Sequence, residues 1–297
     1  MMNNLIKTFV LAALLLPANI LFAQNTERPR IIGLSHVSIK VSDINKARAY
    51  YGTFLGYDEA FTYYNKDSSV SVAFFKVNDR QYIEITPTLQ PKEVERLGHF
   101  CFQTDDAEKM RMYLSAKGIT VPEKLLVGRD RNLHFTVMDP DSHKVEFVQV
   151  LPGSDHFINK GKHNTDKRVS DRLLHTGITV KDAKKADGFY KDILGFVEFW
   201  RGGYADTINW INMRLPDCTD YIEYMLYPGE ITPANLHSAH HISLMVPDLQ
   251  KSIELLSERT NGKNLGAPKV GINKRWLLNM YDPDGTRTEL MEPHTVK

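Results

Sequence analysis

Four stretches of the chain open alike: LSHVSIKVSD at 34–43, LGHFCFQTDD at 97–106, LLHTGITVKD at 173–182 and AHHISLMVPD at 239–248. Each is an alternating, strand-like run that ends on residues able to cap a helix, and an amphipathic helical pattern follows. In the first unit Ile44, Ala47, Tyr51 and Leu55 fall on one face before Gly56; in the third, Ala183, Ala186, Tyr190 and Leu194 do so before Gly195. Further strand-like runs complete the units, VSVAFFKV and RQYIEIT in the first, DTINWINMRL and DYIEYML in the third. The second and fourth close on an Asp-Pro-Asp turn and a β-rich run, MDPDSHKVEF and YDPDGTRTEL. A unit of one strand, one helix and two or three strands, made four times, predicts an α+β protein built from repeats. The longest and most charged link, LPGSDHFINKGKHNTDKRVSDR, divides the chain into an N-terminal domain at 24–152, a connector at 153–171 and a C-terminal domain at 172–297.

Each repeat also carries a histidine in its first strand and a glutamate in its last. His36 to Glu84 is 48 residues, His99 to Glu146 is 47, and His175 to Glu223 and His241 to Glu289 are both 48; the count selects His241 over His240. Side chains two apart share a strand face, so each histidine lies with a small residue (Ser38, Cys101, Gly177 or Ser243). The opposite face is apolar: Val37 and Ile39, Phe100 and Phe102, Ile178 and Val180, Ile242 and Leu244. That greasy face must cover the helices, which turns the histidines and glutamates toward a cavity on the concave side of the sheet. Carboxylates buried there without a cation are costly. A divalent metal shared by two histidines and two glutamates removes the cost, and nitrogen and oxygen donors without thiolate suit Zn, Fe, Mn, Co or Ni. Lys144 and Arg287, which share the glutamate face, read as solvated strand-end charges.

Composition sets the outer bounds. The 297 residues are 42% hydrophobic and 25% charged with a formal net charge of +1, so a sequence-independent grip on nucleic acid has little electrostatic support. Residues 1–23 pair a cationic start at Lys7 with an apolar run from Phe9 to Phe22 and a small Ala23, the pattern of a cleaved secretory signal peptide. The run is shorter than the roughly 20 residues of a spanning helix. The expectation is a periplasmic or secreted protein with no stable membrane insertion after cleavage. Two cysteines, Cys101 and Cys218, form no disulfide framework and read as free thiols.

These motifs resemble the vicinal oxygen chelate superfamily, which includes glyoxalase I, extradiol dioxygenases and the fosfomycin and bleomycin resistance proteins. LSHVSIKVSDINKARAYYGTFLGY and LLHTGITVKDAKKADGFYKDILGF look like its opening strand–helix unit, and DPDSHKVEF and DPDGTRTEL like its closing turn and strand. The resemblance implies four βαβββ modules paired, as sequence neighbours, into two half-open barrels with a metal in each cup. It implies ligand sets of His36, Glu84, His99 and Glu146, and of His175, Glu223, His241 and Glu289. Two vicinal oxygens of a small-molecule substrate then chelate the metal in a lyase or isomerase reaction, with Glu146 or Glu289 as general base. An extradiol dioxygenase is the alternative, with His175, His241 and Glu289 as an iron triad; against it, residues 176–236 hold no further histidine. A second alternative, a non-catalytic binder of the bleomycin-resistance kind, has no need of chelating carboxylates. A leader argues against a glutathione-dependent substrate, and a homodimer stays open.

Overall fold

The computed structural model describes residues 27–227, 232, 236, 239–262 and 265–296; the leader read at 1–23 lies outside them. Strands β1 (Ile31–Lys40), β2 (Glu59–Tyr64), β3 (Val70–Lys76), β4 (Tyr82–Thr86), β5 (Leu97–Thr104), β6 (Leu126–Val127), β7 (Leu133–Met138) and β8 (Lys144–Gln149) form one sheet in the order β2-β3-β4-β1-β5-β8-β7-β6. Strands β9 (Leu173–Val180), β10 (Val197–Gly202), β11 (Trp210–Arg214), β12 (Tyr221–Leu226), β13 (His241–Met245), β14 (Lys269–Val270), β15 (Arg275–Tyr281) and β16 (Arg287–Thr295) form the other, in the order β10-β11-β12-β9-β13-β16-β15-β14. Each sheet curls into a half-barrel of two βαβββ modules. The opening strands of neighbouring modules lie antiparallel at its centre, β1 on β5 and β9 on β13, and each takes its own module's last strand as a parallel partner.

The aspartate that ends each opening motif is a helix N-cap. Asp43, Asp106, Asp182 and Asp248 have extended backbones, and their carboxylates accept from backbone N–H groups of the first turn. Helices Ile44–Ala47 and Ala183–Asp187 widen into π-helical turns at Arg48–Phe54 and Gly188–Ile193, which end at Gly56 and Gly195 with φ of 81° and 77°. The apolar strand faces (Val37, Ile39, Phe100, Phe102, Ile178, Val180, Ile242 and Leu244) are all buried under these helices. Among the described residues no helix is long and apolar enough to cross a membrane, and Cys101 and Cys218 are unpaired.

The Asp-Pro-Asp turns join the halves. Asp139 and Asp282 each fold their own turn by accepting from the backbone N–H of His143 and Thr286, at 2.8 and 2.7 Å. Each also accepts from a buried tyrosine of the other half: Tyr190 on Asp139 at 2.8 Å and Tyr51 on Asp282 at 2.9 Å. His143 extends the first of these contacts, its Nε2 lying 3.2 Å from both Thr179 Oγ1 and His240 Nε2, and His240 Nδ1 lies 2.8 Å from Glu95. Deleting either hydroxyl leaves a buried carboxylate short of a donor. Tyr51→Phe and Tyr190→Phe are each expected to destabilise by about 1–3 kcal/mol in urea unfolding; a change within a few tenths would mean that the contact does not hold the halves.

The stretch read as a connector is packed. Lys76, fully buried at the end of β3, donates to the carbonyls of Asn159 and Lys162 and pairs with Asp79 at 2.7 Å. A short helical turn, Asp155–Ile158, lies just before.

Candidate metal centres

Strand parity places all eight histidines and glutamates of the repeat inside the two half-barrels, four in each. In the N-terminal cup, His36 Nε2 and His99 Nε2 stand 2.9 Å apart. Glu84 Oε2 lies 3.4 Å from the first and 3.7 Å from the second, and Glu146 Oε1 lies 3.5 Å from His36. The C-terminal cup repeats the pattern: His175 Nε2 to His241 Nε2 is 3.0 Å, His175 to Glu289 is 3.7 Å and His241 to Glu223 is 3.5 Å. Serines hold one glutamate in each cup, Ser38 donating to Glu84 at 2.8 Å and Ser243 to Glu289 at 3.1 Å. His240, next in sequence to His241, faces the other way and joins the strip between the halves.

The small residues beside the histidines have a steric reason. Across the central strand pair, His36 faces Cys101, His99 faces Ser38, His175 faces Ser243 and His241 faces Gly177. At Gly177 there is no room for any side chain: a Cβ would fall 2.0 Å from His241 Cε1 and 2.1 Å from its Nδ1. His241 Nδ1 also has the Ala239 carbonyl at 2.8 Å and Arg287 Nη2 at 2.5 Å. Nδ1 donates to the carbonyl or accepts from Arg287, one excluding the other, and the tautomer that donates to the carbonyl is the one that leaves the Nε2 lone pair directed into the cup.

The two cups differ electrostatically. In the N-terminal one, burial works against the Glu146 charge, but the imidazoles of His134, His99 and His36 outweigh it and hold the carboxyl at about 2. Burial, then His99, pushes His36 down to about 3, while Glu84 is pushed up by burial. In the C-terminal cup burial, then Glu289, pushes Glu223 up to about 8, and burial raises Glu289 as well. His175 and His241 are driven well down by burial and by Arg287.

Three further residues reach the cups. His134 Nδ1 lies 3.4 Å from Glu146 Oε2, and the ring of His156, from the connector, packs on Tyr82, Phe61 and Phe74. Arg287, read as a solvated strand-end charge, instead touches His241, whereas its counterpart Lys144 is exposed. The C-terminal cup opens into a cavity of about 270 Å³ whose lining includes Glu223, Glu289, Arg287, Trp200 and Trp210. Asn212 and Asn279, the strand partners of Glu223 and Glu289, have buried amide oxygens with no hydrogen-bond partner. The equivalent residues of the other cup are Phe74 and Thr136.

Two family models, both described as Glyoxalase/Bleomycin resistance protein/Dioxygenase superfamily, match residues 35–136 and 172–290. Lactoylglutathione lyase of Schizosaccharomyces pombe is 23% identical over 186 residues, 54% of this chain and 58% of that protein. Glyoxalase I of Saccharomyces cerevisiae is 26% identical over 216 residues, 66% of this chain and 64% of its own. The match thus spans less than two thirds of either relative. Among solved structures, the 2,3-dioxygenase LapB from Pseudomonas sp. KL28 superposes with a TM-score of 0.66 at 15% identity, covering 90% of this chain and 93% of the other. The Mn(II)-bound glyoxalase from Novosphingobium aromaticivorans gives 0.66 at 16% identity, over 89% and 83%. At such identities these structures share the fold.

Proposed function

Because the chain belongs to the Glyoxalase/Bleomycin resistance protein/Dioxygenase superfamily, we propose that it is a divalent-metal-dependent lyase or isomerase acting on a small substrate with two adjacent oxygens, and that its C-terminal cup is the working site. The observation that carries this reading is the facing pair of imidazole nitrogens in each cup, 2.9 and 3.0 Å apart and flanked by carboxylates, of which Glu84, Glu223 and Glu289 are buried. Two ligand atoms each about 2.1 Å from one ion and at right angles stand about 3.0 Å apart. The donor set therefore fits a cation, with His36, His99, Glu84 and Glu146 holding one and His175, His241, Glu223 and Glu289 another. When bound, the ion supplies positive charge against the negative charge that develops on the substrate's oxygens.

The protein's own groups do the rest. Glu289, anchored by Ser243, takes the proton α to a carbonyl at its free carboxylate oxygen. Burial raises its proton affinity, the direction that suits a group taking up and returning a proton. Asn279, which lines the cavity, offers an amide group that orients the substrate's polar atoms beside Glu289, and Trp200 and Trp210 wall off water. The N-terminal cup, whose Glu146 stays ionised among three imidazoles, suits tight ion retention better than proton transfer. The leader pattern of residues 1–23 adds export to the proposal.

His134 and His156 favour a second reading for the N-terminal cup, extradiol dioxygenase chemistry, because additional imidazoles near an open iron site are what catechol cleavage uses. Dioxygen uptake with catechol would promote it. For the main reading, elemental analysis of metal-replete protein is expected to give two divalent ions per chain, lost on chelation. Protein that retains none ends the metalloenzyme reading.

A further inference from the structure

Arg287 is a cation without an anion. Among the described residues no carboxylate lies within ion-pair distance of its guanidinium; one arm meets an imidazole nitrogen, and its Nε is buried with no partner. The glutamates nearby are the proposed metal ligands, so metal binding engages them elsewhere. A partly buried guanidinium left in that state is costly unless an acceptor from outside completes it, and a planar carboxylate fits its fork of donors. Lys269, on the rim of the same cavity, adds a second positive charge. Nothing comparable occurs at the matching positions of the other modules, which are Tyr82, Tyr221 and the exposed Lys144.

The opposite wall is aromatic. Trp200 and Trp210 line the cavity, and Tyr204 meets Trp210 edge-on with ring centroids 5.4 Å apart. Trp200 lies across Gly202, where a Cβ would fall 2.5 Å from its Cζ2, so the backbone itself makes the seat for this indole. At about 270 Å³ the cavity falls just below the roughly 300–1,000 Å³ usual for ligand pockets, which restricts the occupant to about one ring and a few further atoms.

The geometry points to a small aromatic carboxylate as the ligand class of the C-terminal cup, its carboxylate paired with Arg287 and its ring against Trp200 and Trp210. This assignment rests on the reading of that cup as the working site. It adds the charge and shape of the substrate, which adjacent oxygens alone do not specify.

Tryptophan fluorescence reads the site directly, because two of the three tryptophans line it and Trp276→Phe removes the third. Metal-replete protein, with its metal content measured in the same sample, is titrated with mandelate, with neutral mandelamide and with lactate, which lacks the ring. Mandelate is expected to bind roughly tenfold or more tighter than either of the others. Arg287→Met should remove the preference over mandelamide with bound metal unchanged, and Arg287→Lys should restore part of it. Equal affinities for mandelate and mandelamide in the wild type, or an unchanged preference in a metal-replete Arg287→Met variant, would overturn the assignment. Charge discrimination in protein that holds no metal would support the anion site and refute the metalloenzyme reading. Two bound ions without discrimination would do the reverse.

Discussion

Gly177→Ala is expected to empty the C-terminal cup, lowering the metal content from two ions per chain to one and turnover by about 100-fold or more. One added carbon is enough because His241 has nowhere to go. The new Cβ would sit 2.0 Å from the ring, on the Cε1–Nδ1 edge that already meets the Ala239 carbonyl and Arg287. The imidazole must rotate out, and its Nε2 leaves the pair with His175. The fold itself should survive, since the greasy face of β9 is untouched and circular dichroism should match the wild type. Gly188→Ala, where an added Cβ meets nothing within 4 Å, is the control that should keep both ions. Two ions retained in Gly177→Ala would show that His241 is not a ligand.

Glu289→Gln is the second large effect. If Glu289 moves the proton, the amide should reduce α-deuterium exchange into a 2-hydroxy ketone such as 2-hydroxyacetophenone, followed by proton NMR, by about 10²–10⁴-fold. Glu146→Gln should weaken ion retention in the N-terminal cup and leave the exchange rate nearly intact, because Glu146 is held ionised by His134, His99 and His36 and lines the other half-barrel. A loss of only about half in each variant would mean that both cups turn over. A large loss confined to Glu146→Gln would move the chemistry to the N-terminal cup.

Much of this architecture was legible in the sequence for one reason: strand parity and a repeat at nearly constant spacing constrain each other. His36, His99, His175 and His241 recur at one position of one motif, so their common face follows from the alternation, and the glutamates follow from the count. What the sequence hid lies off that periodicity. His134 sits on β7 two residues from the partner of Glu146, where the matching positions are Val72, Trp210 and Leu277, so no repeat marks it. His156 belongs to the connector, whose polar composition gave no sign of packing into a cup. Arg287 and Lys144 occupy the same repeat position, and only the walls around them, set by Trp200, Trp210 and the loop before β15, make one a pocket residue and leave the other in solvent. Lys76 is the plainest case: an isolated lysine at a strand end reads as solvated, and only the tertiary path of residues 159–162 supplies the carbonyls that bury it.

The tyrosine–aspartate contacts have a consequence for how the protein is assembled. Tyr51 with Asp282 and Tyr190 with Asp139 are one interaction made twice in opposite directions, the signature of a two-fold interface between identical partners. Here both partners are covalently joined, so an association that separate half-length chains would lose on dilution is closed at a high local concentration set by the tether. Fusion also frees the two halves from identity: each side of the pseudo-dimer can diverge without forcing the same change on its twin, which is how a basic, tryptophan-walled pocket can exist on one side alone.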